Sequence, residues 1–177
     1  MIDWLQTVFS ILLVVLPAYT ANGMALILGG GKPLDKGRKM RDGRRIFGEG
    51  KTVRGTILGI LSGILASLGL SLGFLHVYGG LRGFIVGSAA SLGAIGGDLL
   101  GSFAKRRFNI PRGHPVPFLD QLDFICMALL AAYLVNLQLK ATVFTPLAVL
   151  IILAVTPFAH IAGNFIVYKA GKKRHPW

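Results

Sequence analysis

The sequence predicts an all-α polytopic membrane protein of about five transmembrane helices, and three observations carry that reading. The chain is 53% hydrophobic and only 15% charged, against roughly 25% charged in an ordinary soluble domain. Its apolar residues fall into runs that approach the roughly 20 needed to span a bilayer. Its cations sit in short segments between those runs, and alternate segments hold nearly all of them. With 177 residues and five such runs, the chain makes one integral membrane domain, 1–177.

The first run, 4–28, is uncharged and contains Pro17. It follows an acidic residue, Asp3, whereas a signal peptide opens on a basic region, and it is too long for a signal core, so it reads as a retained span. Gly29-Gly30-Gly31 stops it, and a basic loop, 29–54, follows. The second run is 55–75. A short turn leads to the third, 83–100, apolar until Asp98. A second basic loop, 101–117, holds Pro111, Pro115 and Pro117. The fourth run, 118–139, is interrupted early by Asp120 and Asp123, and the fifth, 143–168, contains Pro146 and Pro157 before a basic tail. Gly59 and Gly63, Gly69 and Gly73, Gly83 and Gly87, and Gly93 and Gly97 are four apart within the spans. Small residues at that spacing let helix backbones approach closely in lipid.

Five spans place both loops and the tail on one side, with 17 of the 19 Lys and Arg residues. The excess of cations in cytoplasmic segments then puts the N-terminus outside and the C-terminus in the cytoplasm. The net charge of +12 would suggest nucleic acid in a soluble protein. Between apolar runs it suits membrane lipid head groups or phosphorylated substrates instead, with no nucleic acid partner. Cys126 is the only cysteine, so neither an internal disulfide nor a thiol-based metal cluster can form. The sequence does not set an oligomeric state.

Acidic residues are few, seven in all, and Asp98, Asp120 and Asp123 fall inside or at the edge of apolar runs. A carboxylate there is costly and points to function. Asp98 is near the inner end of span three, and Asp120 and Asp123 near the inner start of span four, three apart and so on one helix face. All three reach a similar depth near the cytoplasmic surface. Three convergent carboxylates are hard oxygen ligands suited to Mg²⁺. The alternative is that Asp120 and Asp123 complement a helix N-terminus and that Asp98 pairs with Lys105 or Arg106.

In the first loop, Asp42, Gly43 and Arg44 precede Gly48-x-Gly50-Lys51-Thr52-x-Arg54. Lys51 and Thr52 stand just ahead of span two, where a helix N-terminus can receive phosphate. The string is similar to a P-loop but lacks its spacing and follows no strand, so it is not one. Its alternative role is to set topology. Asp98 and Ser102 share a face if span three stays helical that far, and Lys105, Arg106 and Arg107 then reach the head-group region, for a triphosphate or for anionic lipid. His160 and Asn164 are four apart in span five and read as interhelical glue. Pro17 and Asn22 suggest a bend lining a groove, or an ordinary kink.

These residues carry a resemblance. Gly97-Asp98-Leu99, Ser102, Lys105-Arg106 and Asp120-x-x-Asp123, with Lys51-Thr52-x-x-Gly55, resemble the blocks of the CTP-dependent phosphatidate cytidylyltransferases. Pro17-Ala18-Tyr19-x-Ala21-Asn22, Asp42-Gly43-Arg44-Arg45 and Asp120-Gln121-Leu122-Asp123-Phe124 resemble the archaeal branch of that family, the CDP-archaeol synthases. There are departures: Val116-Pro117-Phe118-Leu119 stands where the bacterial pattern has His-Gly-Gly, and Gln121 where it usually has arginine.

The resemblance implies a Mg²⁺-dependent transfer of a cytidylyl group from CTP to an unsaturated isoprenoid ether lipid phosphate. It implies metal and catalytic roles for Asp98, Asp120 and Asp123, with Lys105 beside them. It implies substrate-binding roles, toward CTP or the lipid phosphate, for Asp42, Gly43, Arg44, Lys51, Thr52, Arg54, Ser102, Lys105, Arg106 and Arg107, and a lipid head-group role for Asn22. Three other readings compete. A CDP-alcohol phosphotransferase needs an Ala-Arg pair and a pair of acids after Asp42-Gly43, which are missing. A small transporter or channel wants its acids near the midplane. A lipid-binding scaffold needs no metal.

Overall fold

The computed structural model describes residues 4–74, 80–111, 113–140 and 145–171. Among the described residues five helices are long and apolar enough to cross a membrane: α1 (Trp4–Ile27), α2 (Val53–Gly73), α3 (Leu81–Arg107), α4 (Leu119–Leu139) and α5 (Pro146–Lys169). Among the described residues β structure is limited to two isolated bridges, Pro33 with Thr52 and Lys39 with Arg45.

The helices follow the expected apolar runs to within a few residues except at one end. Helix α3 runs on to Arg107, so the second loop starts at Phe108 and not at residue 101. The apolar run stops at Leu100, but the backbone needs no apolar residues to stay helical. Lys105, Arg106 and Arg107 fill the last turn, where cations complement the C-terminal end of the helix dipole. Helix α2 begins two residues early because Thr52 caps it: the Thr52 side chain accepts from Gly55 N–H at 3.1 Å. The first two residues expected in span five, the turn 75–79 and the tail cations beyond 171 lie outside the described residues.

Glycine sets how closely the helices pack. Gly55, Gly59 and Gly63 of α2 lie against the carbonyls of Ala25, Ala21 and Pro17 of α1, each 2.7 Å from where a Cβ would stand. The glycines advance by four as their partners retreat by four, which is an antiparallel pair at backbone contact. Gly93 and Gly97 of α3 meet the Met127 and Asp123 carbonyls of α4 in the same way, and a Cβ on Gly101 would overlap the Asp123 carboxylate. Gly69 and Gly73 have nothing within 4 Å, so that pair does not pack as the spacing suggested. Helices α1 to α4 form the closely packed body, around Leu13, Val14, Val86, Ala90, Phe124 and Ile125. Helix α5 packs on α1 and α4 and makes no extensive contact with α2 or α3.

Candidate active site

A cavity of about 440 Å³ opens where the C-terminal half of α1, the start of α2, the second half of α3, the start of α4 and the C-terminal half of α5 meet. Every helix has its loop-side end there, because successive spans run in opposite directions. Asn22, Lys51, Thr52, Asp98, Lys105, Asp120 and Asp123 all line it. Residues separated by up to 101 positions in sequence are thereby drawn to one place.

The charged groups are paired across elements. Lys51 Nζ lies 2.5 Å from Asp98 Oδ1 and 2.6 Å from Oδ2. Lys105 Nζ lies 2.6 Å from Asp120 Oδ1, and Asp120 Oδ2 accepts from Val116 N–H at 3.1 Å. Asp98 is thus paired with neither Lys105 nor Arg106. Asp123 feels Asp98, Lys51 and Lys105 electrostatically, and its Oδ1 accepts from Phe124 N–H at 2.6 Å. Three carboxylates therefore face two ammonium groups. Among the described residues no three acidic, His or Cys groups converge tightly enough to form a preassembled metal site.

The α2 N-terminus is less free than its sequence suggested. Val53 N–H donates to Lys32 C=O at 3.1 Å, and Thr52 Oγ1 accepts from both Gly55 N–H and Gly30 N–H, the latter at 3.2 Å. Thr52 is buried and its oxygen is committed to capping and to holding the incoming loop. Lys51 is fixed by the same pairing, since Leu34 N–H donates to its carbonyl at 2.7 Å.

The other expected site residues fall outside the cavity. Asp42, Arg44 and Arg107 form a clasp between the first loop and the end of α3. Arg107 Nη1 donates to both Asp42 oxygens, at 2.6 and 2.7 Å, and Nη2 to Arg45 C=O at 2.5 Å. Arg44 donates back to Arg107 C=O. Gly43 makes the turn beside Asp42 with φ of 75°. Arg106 runs along Gly48, Ser102 is buried in α3, and Arg54 is exposed on the first turn of α2. Of six cations expected at phosphates, two, Lys51 and Lys105, line the cavity. The Arg44 amide and the Arg107 guanidinium together hold the Asp42 carboxyl below the ordinary range.

Asp35 is the residue that sequence reasoning passed over. Its side chain is fully buried inside a basic loop. It accepts from Gly48 N–H at 2.9 Å, Phe47 N–H and Gly37 N–H at 3.1 Å, and forms an ion pair with Arg45. Burial alone would raise its carboxyl, but the Arg45 and backbone hydrogen bonds outweigh this and hold it far below the usual range. The glycines at 37, 43 and 48 were the available signal: three left-handed turns fold a loop onto something central.

The cavity's other wall is neutral. Tyr19 stacks edge-on against Phe124 at 5.3 Å and donates to Thr156 Oγ1 at 2.9 Å. Phe124 rests on His160 at 5.9 Å. Asn164 Nδ2 lies 3.3 Å from His160 Nδ1, and both residues line the cavity.

A lysine–carboxylate cluster enclosed by lipid-spanning helices suits a reaction between a polyanion and a membrane-borne partner. The comparisons agree. The family model described as CarS-like, CDP-archaeol synthase, matches residues 3–177. The chain is 46% identical to the CDP-archaeol synthase of Methanocaldococcus jannaschii, covering 97% of this chain and 98% of that one. It is 42% identical to the CDP-archaeol synthase of Thermococcus kodakarensis, over 98% and 99%. A solved structure described as an intramembrane enzyme for archaeal membrane lipids biosynthesis superposes with a TM-score of 0.72 at 35% identity, covering 86% of this chain and 91% of that one. The matched span takes in all five helices and every group around the cavity, and on that ground the chain belongs to the CDP-archaeol synthase family.

Proposed function

We infer that the protein transfers a cytidylyl group from CTP to an archaeal unsaturated ether lipid phosphate, giving a CDP-activated lipid and pyrophosphate. The observation that carries this is the union, in one cavity, of Lys51, Lys105 and three aspartates with an apolar wall of membrane helix, in a chain of this family. A lipid phosphate oxygen attacks the α-phosphorus of CTP, the bond from that phosphorus to the bridging oxygen breaks, and pyrophosphate leaves with the electron pair. Such a transfer asks for positioning and charge neutralisation, not for a covalent nucleophile. Phosphate oxygens compete with Asp98 and Asp120 for the ammonium groups of Lys51 and Lys105.

The chemistry of the donors suits Mg²⁺, although they are not preassembled around a metal position. Asp98, Asp120 and Asp123 offer hard oxygens, and Asp123 is the one of the three without a hydrogen-bonded lysine among the described residues. When bound, the ion supplies Lewis-acid stabilisation of charge on the transferring phosphoryl group. Asp98, Asp120 and Asp123 would hold the ion, while Thr52 keeps Lys51 and the loop in place. The arginine clasp of Asp42, Arg44 and Arg107 positions that loop and leaves the phosphates to the lysines. Tyr19, Asn22 and Phe124 shape the wall that excludes water.

The N-terminus lies outside and the C-terminus in the cytoplasm, which brings the cavity to the side where CTP is found. The one-sided distribution of cations supports this. A transporter is not favoured, since the acids lie at one end of the bundle and each of two is held by a lysine.

Purified protein incubated with α-labelled CTP, Mg²⁺ and a dialkyl glycerol phosphate should yield labelled CDP-lipid and unlabelled pyrophosphate, and chelation should abolish both. Asp123→Asn should insert normally and lose turnover. Failure to label any lipid phosphate would sink the reading, and full activity of Asp123→Asn would remove the metal role.

A further inference from the structure

The cavity has two chemically different walls. One carries Lys51, just ahead of α2, with Lys105 and Asp98 of α3 and Asp120 and Asp123 of α4. The other belongs to α5, whose polar groups toward the cavity are His160 and Asn164. Asn164 is only 7% exposed, so its amide is held within the protein. It offers both hydrogen-bond donors and an acceptor, and the i to i+4 spacing stacks it on the ring of His160.

The position of α5 tells what this wall meets. Thr56 of α2 and Gly163 and Val167 of α5 line the same cavity, yet α2 and α5 do not pack on each other. The cavity thus separates two helices that both face lipid. Gly163 has nothing within 4 Å of where a Cβ would stand, and Ile166 beside it is 66% exposed. A molecule with apolar chains entering from the bilayer between α2 and α5 slides past Gly163 and Ile166, meets Asn164 and His160, and then reaches Lys51. At roughly 1.5 Å per residue, Asn164 lies about 8 Å and His160 about 13 Å before the end of α5 at Lys169. His160 and Asp98 are each nine residues before the loop-side end of their helix, and both line the cavity.

We propose that His160 and Asn164 form the subsite for the ether-linked glycerol of the lipid phosphate, positioning its phosphate toward Lys51 and Lys105. This rests on the cytidylyl-transfer reading above. The glycerol ether segment is uncharged and presents acceptor oxygens only. It is met by N–H donors on a wall without lysine or arginine, while the phosphates lie at the opposite wall. A nucleobase could also bond to an amide, but it arrives from the cytoplasm with its phosphates, whereas this wall continues into the lipid-facing surface of α5.

The test uses the intact protein in detergent. His160→Ala and Asn164→Ala should each raise KM for a dialkyl glycerol phosphate about tenfold, the loss of one hydrogen bond. KM for CTP, and CTP binding measured without lipid, should stay within about twofold. Gly163→Leu, which fills open space at the entrance and touches neither polar group, should give the same split and covers the case in which Asn164→Ala does not fold. A rise in KM for CTP, alone or in step with the lipid, overturns the proposal and makes this wall a nucleotide subsite. No change in either constant also overturns it. If wild type forms no CDP-lipid, the reaction itself has failed separately. Binding of radiolabelled dialkyl glycerol phosphate to wild type and variants then decides the subsite, with weaker binding to the variants expected and equal binding overturning it.

Discussion

The Lys51 ammonium closes on both carboxylate oxygens of Asp98, at 2.5 and 2.6 Å, joining the residue ahead of the α2 cap to the second half of α3. The pair is partly buried on both sides. It holds in place one of the two lysines that line the cavity.

Removing that cation should therefore cost turnover more than fold. We expect Lys51→Ala to lower CDP-lipid formation by roughly 10²-fold, the scale for losing one preorganised electrostatic group. Nucleotide binding should weaken alongside. Turnover within about threefold of wild type would remove Lys51 from the chemistry.

Gly101 is the point where α3 gives way to Asp123. A Cβ there overlaps the Asp123 carboxylate, so Gly101→Ala should destabilise the protein by about 1–3 kcal/mol, the usual scale of overpacking, and displace Asp123. Gly69→Ala, with open space around it, should be neutral in both respects. Thermal midpoints in detergent and turnover of the two variants check this; equal behaviour would contradict the packing.

Asp35 predicts a pH response for the first loop. A carboxyl held below its unfolded value near 4 contributes stability that is complete above that value and fades as pH falls toward the lower one. Protection of the Phe47 and Gly48 amides against hydrogen exchange should thus be flat between about pH 5 and 8 and decline only in stronger acid. Asp35→Asn should lose that protection at neutral pH. A decline centred near pH 6 would point to a different group.

Orientation can be read by labelling. Arg41 is exposed in the first loop. A cysteine there, in a Cys126→Ser background, should resist impermeant thiol reagents in intact cells and react after permeabilisation. Labelling in intact cells would invert the topology.

The five spans were legible because crossing a bilayer demands an unbroken apolar run, and the chain has five. The end of α3 was not, because Lys105, Arg106 and Arg107 read as loop by polarity although charged residues extend a helix readily. The aspartates were legible because a carboxylate amid Leu and Phe stands out. Their partners were not: the arginines and lysines near the site look alike in sequence, and only folding separates Lys51 and Lys105 at the cavity from Arg44 and Arg107 in the clasp. Asp35 was hidden for the converse reason, since an acid among nine cations in 29–54 looks like ordinary charge balance. Gly59 and Gly63 announced close packing, yet Gly69 and Gly73 carry the same spacing without it, because spacing permits contact and a partner must supply it.

The arrangement of α5 also bears on how the protein is put together. Helices α1 to α4 pack on one another through residues that precede Pro146, so the lysine–aspartate cluster needs nothing from α5. The part of the neutral wall that carries His160 and Asn164 comes with the last helix of the sequence. A chain ending before Pro146 would thus keep its charges in register yet lack the helix that completes the cavity.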